Sequence, residues 1–248
     1  MANPLSSARR ITIHLARRIE EMDQVSQLQG QIWGTAEVAA PSSLLKAISE
    51  AGGVVLLAKE GSRPVGFAFG FVGRDDQGRL YHRSHAAGVL PELRDAGVGR
   101  SLKLAQRRWA RARGLDRMVW TFDPAQLRNA HFNLHRLGAV ARRHHPNYYG
   151  RRTDDLNQGR PTDRLVVEWF LTPVLAGALR DQRRRGGLAI PVPAALLRTG
   201  PPPLSDLLRL RRRLRRALGD GLTIIDYDRV RAAYVAAELP AGFPPPAE

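Results

Sequence analysis

Cysteine is absent from all 248 residues, which excludes disulfides, thiolate metal ligands and a cysteine nucleophile in one step. Lysine is nearly absent: of 39 basic residues only Lys46, Lys59 and Lys103 are lysine, which leaves 36 arginines. Against 23 acidic residues this gives a formal charge of +16, an excess that suits phosphate-rich partners such as nucleic acid or an anionic cofactor. The arginines are scattered, however, so a solvated basic surface is the reading for most of them. Long apolar runs are also missing: nothing approaches the roughly 18 residues that a membrane span requires. Met1 to Asp23 is broken by Arg9, Arg10, Arg17 and Arg18 and fails the pattern of a signal peptide. The expectation is a cytoplasmic protein with no membrane partner, whose fold rests on packing alone. With 43% apolar residues, the chain can build one well-packed domain and a small second one.

The pattern along the chain changes twice. Ile11 to Ile19 alternates as a strand, and helical spacing follows over Glu20 to Trp33 and Ser42 to Ala51. Val54 to Ala58, Val65 to Val72 and Leu80 to Leu90, separated by polar turns, read as a three-strand meander. Beyond it, helices over Val98 to Arg113 and Pro124 to Leu137 alternate with strands over Met118 to Phe122, Val140 to Tyr149 and Leu165 to Leu171. A meander followed by alternating strands and helices predicts an α/β fold with a central mixed sheet flanked by helices.

From Pro173 the composition shifts to Arg, Leu and Pro, which places a boundary there: a main domain over 1–172 and a C-terminal α/β extension over 173–248. Ile190 to Pro193 and Pro201 to Pro203 read as punctuation. Leu207 to Leu218 predicts an amphipathic helix, with leucines at 207, 210, 214 and 218 on one stripe. Leu222 to Tyr227 predicts a strand, Val230 to Ala237 a helix, and the end at Pro244-Pro245-Pro246 a disordered tail.

The stretch with chemical content is Val89 to Ser101, which joins the long strand to the first long helix. The first turn of a helix presents backbone N–H groups without intrahelical partners at the positive end of the peptide dipoles, which suits a pyrophosphate. Gly97 and Gly99 remove side chains that would hold phosphate oxygens away, and Arg94 and Arg100 add charge-assisted donors. The third glycine of a Gly-x-Gly-x-x-Gly dinucleotide loop would fall at Leu102, and Gly-Lys-Ser/Thr is missing, so Rossmann and Walker readings fit worse.

The spacing Val89-x-Pro91-x-x-Arg94-x-x-Gly97-x-Gly99 resembles the acyl-CoA pyrophosphate loop of the GNAT N-acetyltransferase superfamily. Asn129 to Ala139, ending in Leu137-Gly138, is similar to that family's later helix, and the element order matches over roughly residues 11 to 172. The resemblance implies an acyltransferase that carries an acetyl or other acyl group from acyl-CoA to an amine. It implies cofactor contacts from Val89, Leu90, Arg94, Gly97, Val98, Gly99, Arg100, Ser101 and Asn129. It also implies that the backbone N–H of Val89 binds the thioester carbonyl and stabilises the oxyanion formed on attack.

The chain departs from the family where its usual tyrosine, the acid toward the thiolate, would stand: that position is Leu134. His82, Ser84 and His85 on the strand and Tyr148 and Tyr149 after the last helix are the alternatives. Strand alternation puts His85 on the side of Val89, which makes His85 the preferred base, with Tyr149 carried as the other catalytic candidate. A histidine hydrogen-bonded within the sheet is the plainer reading of the same residue. His131 and His135 lie one helical turn apart but lack the glutamate of His-Glu-x-x-His, and no metal site is expected.

Two other functions stay open. One keeps the fold and binds acyl-CoA, or performs other acyl-CoA chemistry, without N-acetylation. The other is a basic nucleic-acid or partner-binding module centred on Arg209 to Arg216, less favoured because no aromatic residues interleave. The acceptor amine and the oligomeric state are not readable from the sequence.

Overall fold

A computed structural model describes residues 11–34, 39–150 and 160–247; Met1 to Arg10, part of the stretch read above for a leader, lie outside them. The chain divides into two compact units, Met1–Val72 with Ser84–Ala112, and Gly73–Arg83 with Arg113–Glu248. The boundary expected at 173 therefore does not coincide with the division, because strands of the C-terminal segment join the sheet of the segment before them.

In the first unit, β1 (Ile11–Leu15) pairs antiparallel with β2 (Val54–Glu60), and β2 with β3 (Arg63–Arg74). β4 (Leu80–Val89) follows β3 in the strand order and gives this unit its second half. Helix α1 (Ile19–Trp33) starts where the Glu21 carboxylate accepts the amides of Arg17 and Arg18 at 2.9 and 3.1 Å, and it ends at Gly34 in the left-handed region. Those bonds satisfy donors that a helix start leaves open. Burial pushes the carboxyl up, but the bond from the Arg17 amide, with those from Arg18 and His14, outweighs it and holds Glu21 down at about 2. Met22, Val25 and Leu28, at helical spacing, are buried with Leu45 of α2 (Ser42–Glu50), Phe67 and Phe69 of β3, and Val98, Leu102 and Trp109 of α3 (Val98–Arg111). Each such side chain contributes about 1.5–3 kcal/mol when fully buried.

In the second unit the strand order is β4, β5 (Arg117–Phe122), β7 (Arg164–Phe170), β6 (Val140–His145), β9 (Thr223–Asp228), β10 (Ala233–Ala237) and β8 (Leu188–Pro191). Only β4 and β5 run parallel, through His82↔Met118 and Arg83↔Val119; the other pairs are antiparallel. Between β5 and β6, α4 (Leu127–Ala130) runs into a π-helical segment over His131–Arg136. Helices α5 (Pro173–Arg185) and α6 (Leu204–Gly219) complete the unit. The fold is thus α/β with a mostly antiparallel sheet.

Three readings of the C-terminal segment are corrected. Val230 to Ala237, expected to be helical, instead contains β10: Asp228 Oδ1 accepts the amides of Val230 and Arg231 to make the turn from β9, and Tyr234 is fully buried 5.1 Å from Tyr227. Packing of that tyrosine overrides helix propensity. Ile190 to Pro193, read as punctuation, begins within β8. The proline tail is docked: Pro244 accepts from Arg142 at 2.5 Å, Pro245 from Arg117 at 3.1 Å, and Ala247 is buried with Tyr81, Val119 and Val166. Proline carbonyls accept hydrogen bonds as any others do, and the arginines of this unit supply the donors.

Those arginines belong to a buried network. Arg117, 1% exposed, reaches Asp75 through Nη2 and Glu168 through Nη1, the latter at 3.0 Å. Arg142 holds Glu168 through two bonds of 2.9 and 2.8 Å. Burial pushes the Asp75 carboxyl up, but bonds from Arg79 and Arg117 outweigh it and hold the group at about 2.

Candidate active site

The strand, loop and helix from Ser84 to Arg111 form one continuous piece of the first unit. His85 is exposed and its ring lies 5.4 Å from Phe69 and 6.1 Å from Phe71, while Ser84, on the opposite face, is buried. At the end of β4 the Leu90 amide donates to the Val65 carbonyl of β3 at 3.0 Å. Successive N–H groups of an extended strand point to opposite edges, so the Val89 N–H points away from β3. Gly88 is fixed by close approach: a Cβ there would meet Phe67 at 2.9 Å and Ile32 at 3.0 Å.

Beyond Leu90 the chain makes a 3₁₀ turn over Pro91–Leu93 and enters α3 through Gly97 at φ +85°. A side chain at that φ costs on the order of 1 kcal/mol, so glycine is the residue that turns the chain here. No side chain caps α3, and its first turn contains no acid. The first intrahelical bond runs from Ser101 to Gly97 at 3.0 Å, which leaves the amides of Val98, Gly99 and Arg100 at the start of the helix. Arg94, Arg100 and Ser101 are exposed beside them, and Val98 is buried as the anchor. A loop of this construction is chemically fit for a pyrophosphate: N–H donors, a positive helix end and two arginines, with no carboxylate from the helix to oppose an anion.

Asn129 and Tyr149 belong to the second unit. Asn129 is exposed on α4, whereas Asn133 is buried and accepts the Trp120 indole N–H at 3.2 Å. Tyr149 packs edge-on to Tyr148 at 4.8 Å, beneath the Arg164 guanidinium at 5.0 Å, and its amide donates to Thr162. Tyr148 accepts from Arg83 at 3.1 Å. His82 and Leu134 are fully buried. His131 stacks on His135 at 4.7 Å, and His135 pairs with Asp226 at 3.1 Å. Among the described residues no group of three or more His, Asp or Glu side chains is arranged to hold a metal ion.

Compared with curated proteins, the sequence has no match. The profile of the Acetyltransferase (GNAT) family matches residues 19–139. Among solved structures, the ribosomal-protein-S18-alanine N-acetyltransferase of Escherichia coli superposes with a TM-score of 0.54 at 15% identity, over 66% of this chain and 95% of that one. The yncA protein of Salmonella typhimurium, solved with its cofactor acetyl-CoA, gives 0.53 at 19% identity over 66% and 95%. Arabidopsis thaliana Naa50, in complex with the bisubstrate analogue CoA-Ac-MVNAL, gives 0.51 at 17% over 64% and 97%. At these identities the solved structures establish the fold.

Residues 19–139 form a GNAT acetyltransferase domain.

Two groups near the elements of this GNAT domain escaped the sequence. Lys103 of α3 is buried and donates to the Ser84 hydroxyl at 2.8 Å; burial pushes its ammonium down to about 7. Its only sequence signal is helical spacing on the apolar face of α3, one position after Leu102. Asp123, at the end of β5, is pushed up by burial, with the nearby Asp163 carboxylate adding to the rise. Asp123-Pro124 after a strand reads simply as a turn, and the Asp123 carboxylate does accept the Ala125 amide at 2.8 Å.

Proposed function

We propose that this GNAT domain transfers the acetyl group of acetyl-CoA to an amine, with the first unit supplying the cofactor loop and the groups that polarise and deprotonate. The observation that carries the reading is the junction of β4 and α3, where the Val89 N–H points away from β3 and three helix-start amides follow Gly97. Bound there, acetyl-CoA would supply the activated thioester. The amides of Val98, Gly99 and Arg100, with Arg94, Arg100 and Ser101, would hold its pyrophosphate. Val89, followed by Leu90, would direct its N–H at the carbonyl oxygen, a donor fixed in advance where negative charge develops. The solved GNAT-fold structures that contain acetyl-CoA or a CoA-peptide analogue support the same assignment.

His85 is the proposed base: it is exposed, it lies on the face opposite buried Ser84, and Phe69 and Phe71 fix its ring. Its task is to take the proton of the incoming amine, a step a positioned side chain accelerates by about 10²–10⁴-fold. Tyr149, read from the sequence as the other catalytic candidate, and Asn129, read as a cofactor contact, are both exposed on the second unit.

A second reading, acyl-CoA binding without transfer, is favoured by one observation: Leu134, where the family's tyrosine would stand, is fully buried. The two separate in an assay for free CoA thiol with acetyl-CoA and a panel of primary amines, amino-terminal peptides included. Thiol release that requires both an amine and His85 supports transfer; tight acetyl-CoA binding with no release above the uncatalysed rate supports the second reading. The basic-module reading draws less support, because Arg211 is held by Asp163 and Arg213 by the Pro191 carbonyl.

A further inference from the structure

Helix α3 packs on the face of the first unit's sheet to which Gly66 of β3 belongs, since a Cβ on Gly66 would meet Leu102 at 3.3 Å. Strand alternation and the pairing registers put Ala68 of β3, Val54, Leu56 and Ala58 of β2, and Ile13 and Leu15 of β1 on that same face. All six are apolar. Apolar contact is non-directional, so it holds the helix against the sheet and fixes its slide and roll less sharply than a hydrogen bond does.

At β4 the contact changes character. Ser84, 2% exposed, accepts from Lys103 Nζ at 2.8 Å and donates to Gln106 Oε1 at 2.8 Å. Lys103 and Gln106 stand three residues apart on α3, so they share one side of the helix and converge on one hydroxyl. Two anchors on one helix face, meeting at one atom, set both the translation and the rotation of α3 on β4.

Stability alone does not account for these groups. Lys103 is 5% exposed and burial pushes its ammonium down to about 7, while the Nε2 of fully buried Gln106 has no hydrogen-bond partner among the described residues. Buried polar groups cost free energy unless every one is matched, and an apolar pair would fill the same interior without that cost. What the chain of bonds does accomplish is alignment. α3 opens with the amides of Val98, Gly99 and Arg100, and Gly99 lies about 6 Å along the axis from Lys103. β4 carries His85 next to Ser84, and Val89 five residues on. The two elements joined at Ser84 are therefore the one that opens with the pyrophosphate donors and the one that carries the polarising N–H and the base.

We propose that Lys103, Gln106 and Ser84 are positioning residues of the acyl-transfer site, which hold α3, and with it the bound pyrophosphate, in register with His85 and the Val89 N–H. This role rests on the acyl-transfer reading, and the three residues act through α3 and β4, not on the reacting atoms. Misplacement of a reacting group by about 1 Å costs on the order of 10²-fold in rate. A slipped register thus lowers turnover, whereas the phosphate donors of the loop and of α3 move together and keep their grip on the cofactor.

The test compares wild type, K103M, S84A, the K103M/S84A double variant and S84T, which keeps the hydroxyl. Acetyl-CoA affinity is measured by calorimetry, folding by circular dichroism, and kcat by thiol release with the amine that wild type uses fastest. K103M and S84A are each expected to lose at least about tenfold in kcat with acetyl-CoA affinity within about twofold of wild type. The double variant falls no further than the worse single one, because the two residues act as a unit, and S84T stays within about threefold of wild type. Unchanged kcat in K103M and S84A, a loss confined to one of them, or a loss that tracks cofactor affinity or folded fraction would overturn the positioning role and leave the acyl-transfer reading standing. No amine-dependent thiol release by wild type would overturn both.

Discussion

Lys103 of α3 donates to the hydroxyl of Ser84 on β4 at 2.8 Å, and Ser84 donates onward to Gln106 at 2.8 Å. A lysine in a dry interior favours its neutral form, and burial brings this one from 10.5 to about 7. The unfolded chain therefore binds more protons than the folded one between those values, and stability rises with pH across that window. Wild type should gain up to about 1.4 kcal/mol per pH unit from this group relative to K103M. Urea unfolding of both proteins from pH 6.5 to 9.5 checks it; parallel pH curves would contradict it.

Asp163 behaves in the opposite sense. Burial pushes its carboxyl up, but hydrogen bonds from His144, Arg211 and the Asn147 amide outweigh that and bring it from 3.8 to about 2. The stabilisation is present above the unfolded value and disappears as pH falls through the folded one. D163N should cost about 2 kcal/mol at pH 7 and progressively less toward pH 2, measured by denaturant unfolding at both ends.

The carboxy-terminal strap is a third test. Deleting Pro244 to the end removes acceptors from Arg142 and Arg117 and uncovers Tyr81, Val119 and Val166. Leaving buried guanidinium donors unmatched predicts a loss of about 2–3 kcal/mol. An unchanged unfolding midpoint would show that the strap contributes nothing.

For the base, H85A should lower kcat/KM for the amine at least tenfold. Acetyl-CoA affinity should stay at the wild-type level, since the ring contacts Phe69 and Phe71, not the phosphate loop. A variant that loses cofactor affinity in parallel would mean that His85 holds the strand in shape instead.

What the sequence made legible was whatever depends on local chemistry. Gly97 and Gly99 before an amphipathic helix announced the loop from Val89 to Ser101, because a tight turn into a helix has few solutions. The alternation of β4 separated His85 from Ser84 for the same reason. Long-range pairing stayed hidden: nothing near Lys103 in the chain says that its ammonium meets Ser84 of β4. The alanines before and after Tyr234 suggest a helix until its ring is packed on Tyr227, and Pro244 to Pro246 look unstructured until Arg117 and Arg142 supply donors. Nothing in the sequence around Asn133 says that its side chain is the buried partner of Trp120.

The central claim, that the start of α3 holds the pyrophosphate of acetyl-CoA, is tested most directly by calorimetric titration of wild type and G99E with acetyl-CoA. Gly99 lies inside the first turn with helical geometry, so a glutamate fits the backbone and favours the helix end while placing a carboxylate where the phosphates would sit. Micromolar binding by wild type and at least a hundredfold weaker binding by a folded G99E is the predicted result; equal affinity of the two proteins, or no binding by wild type, would contradict it.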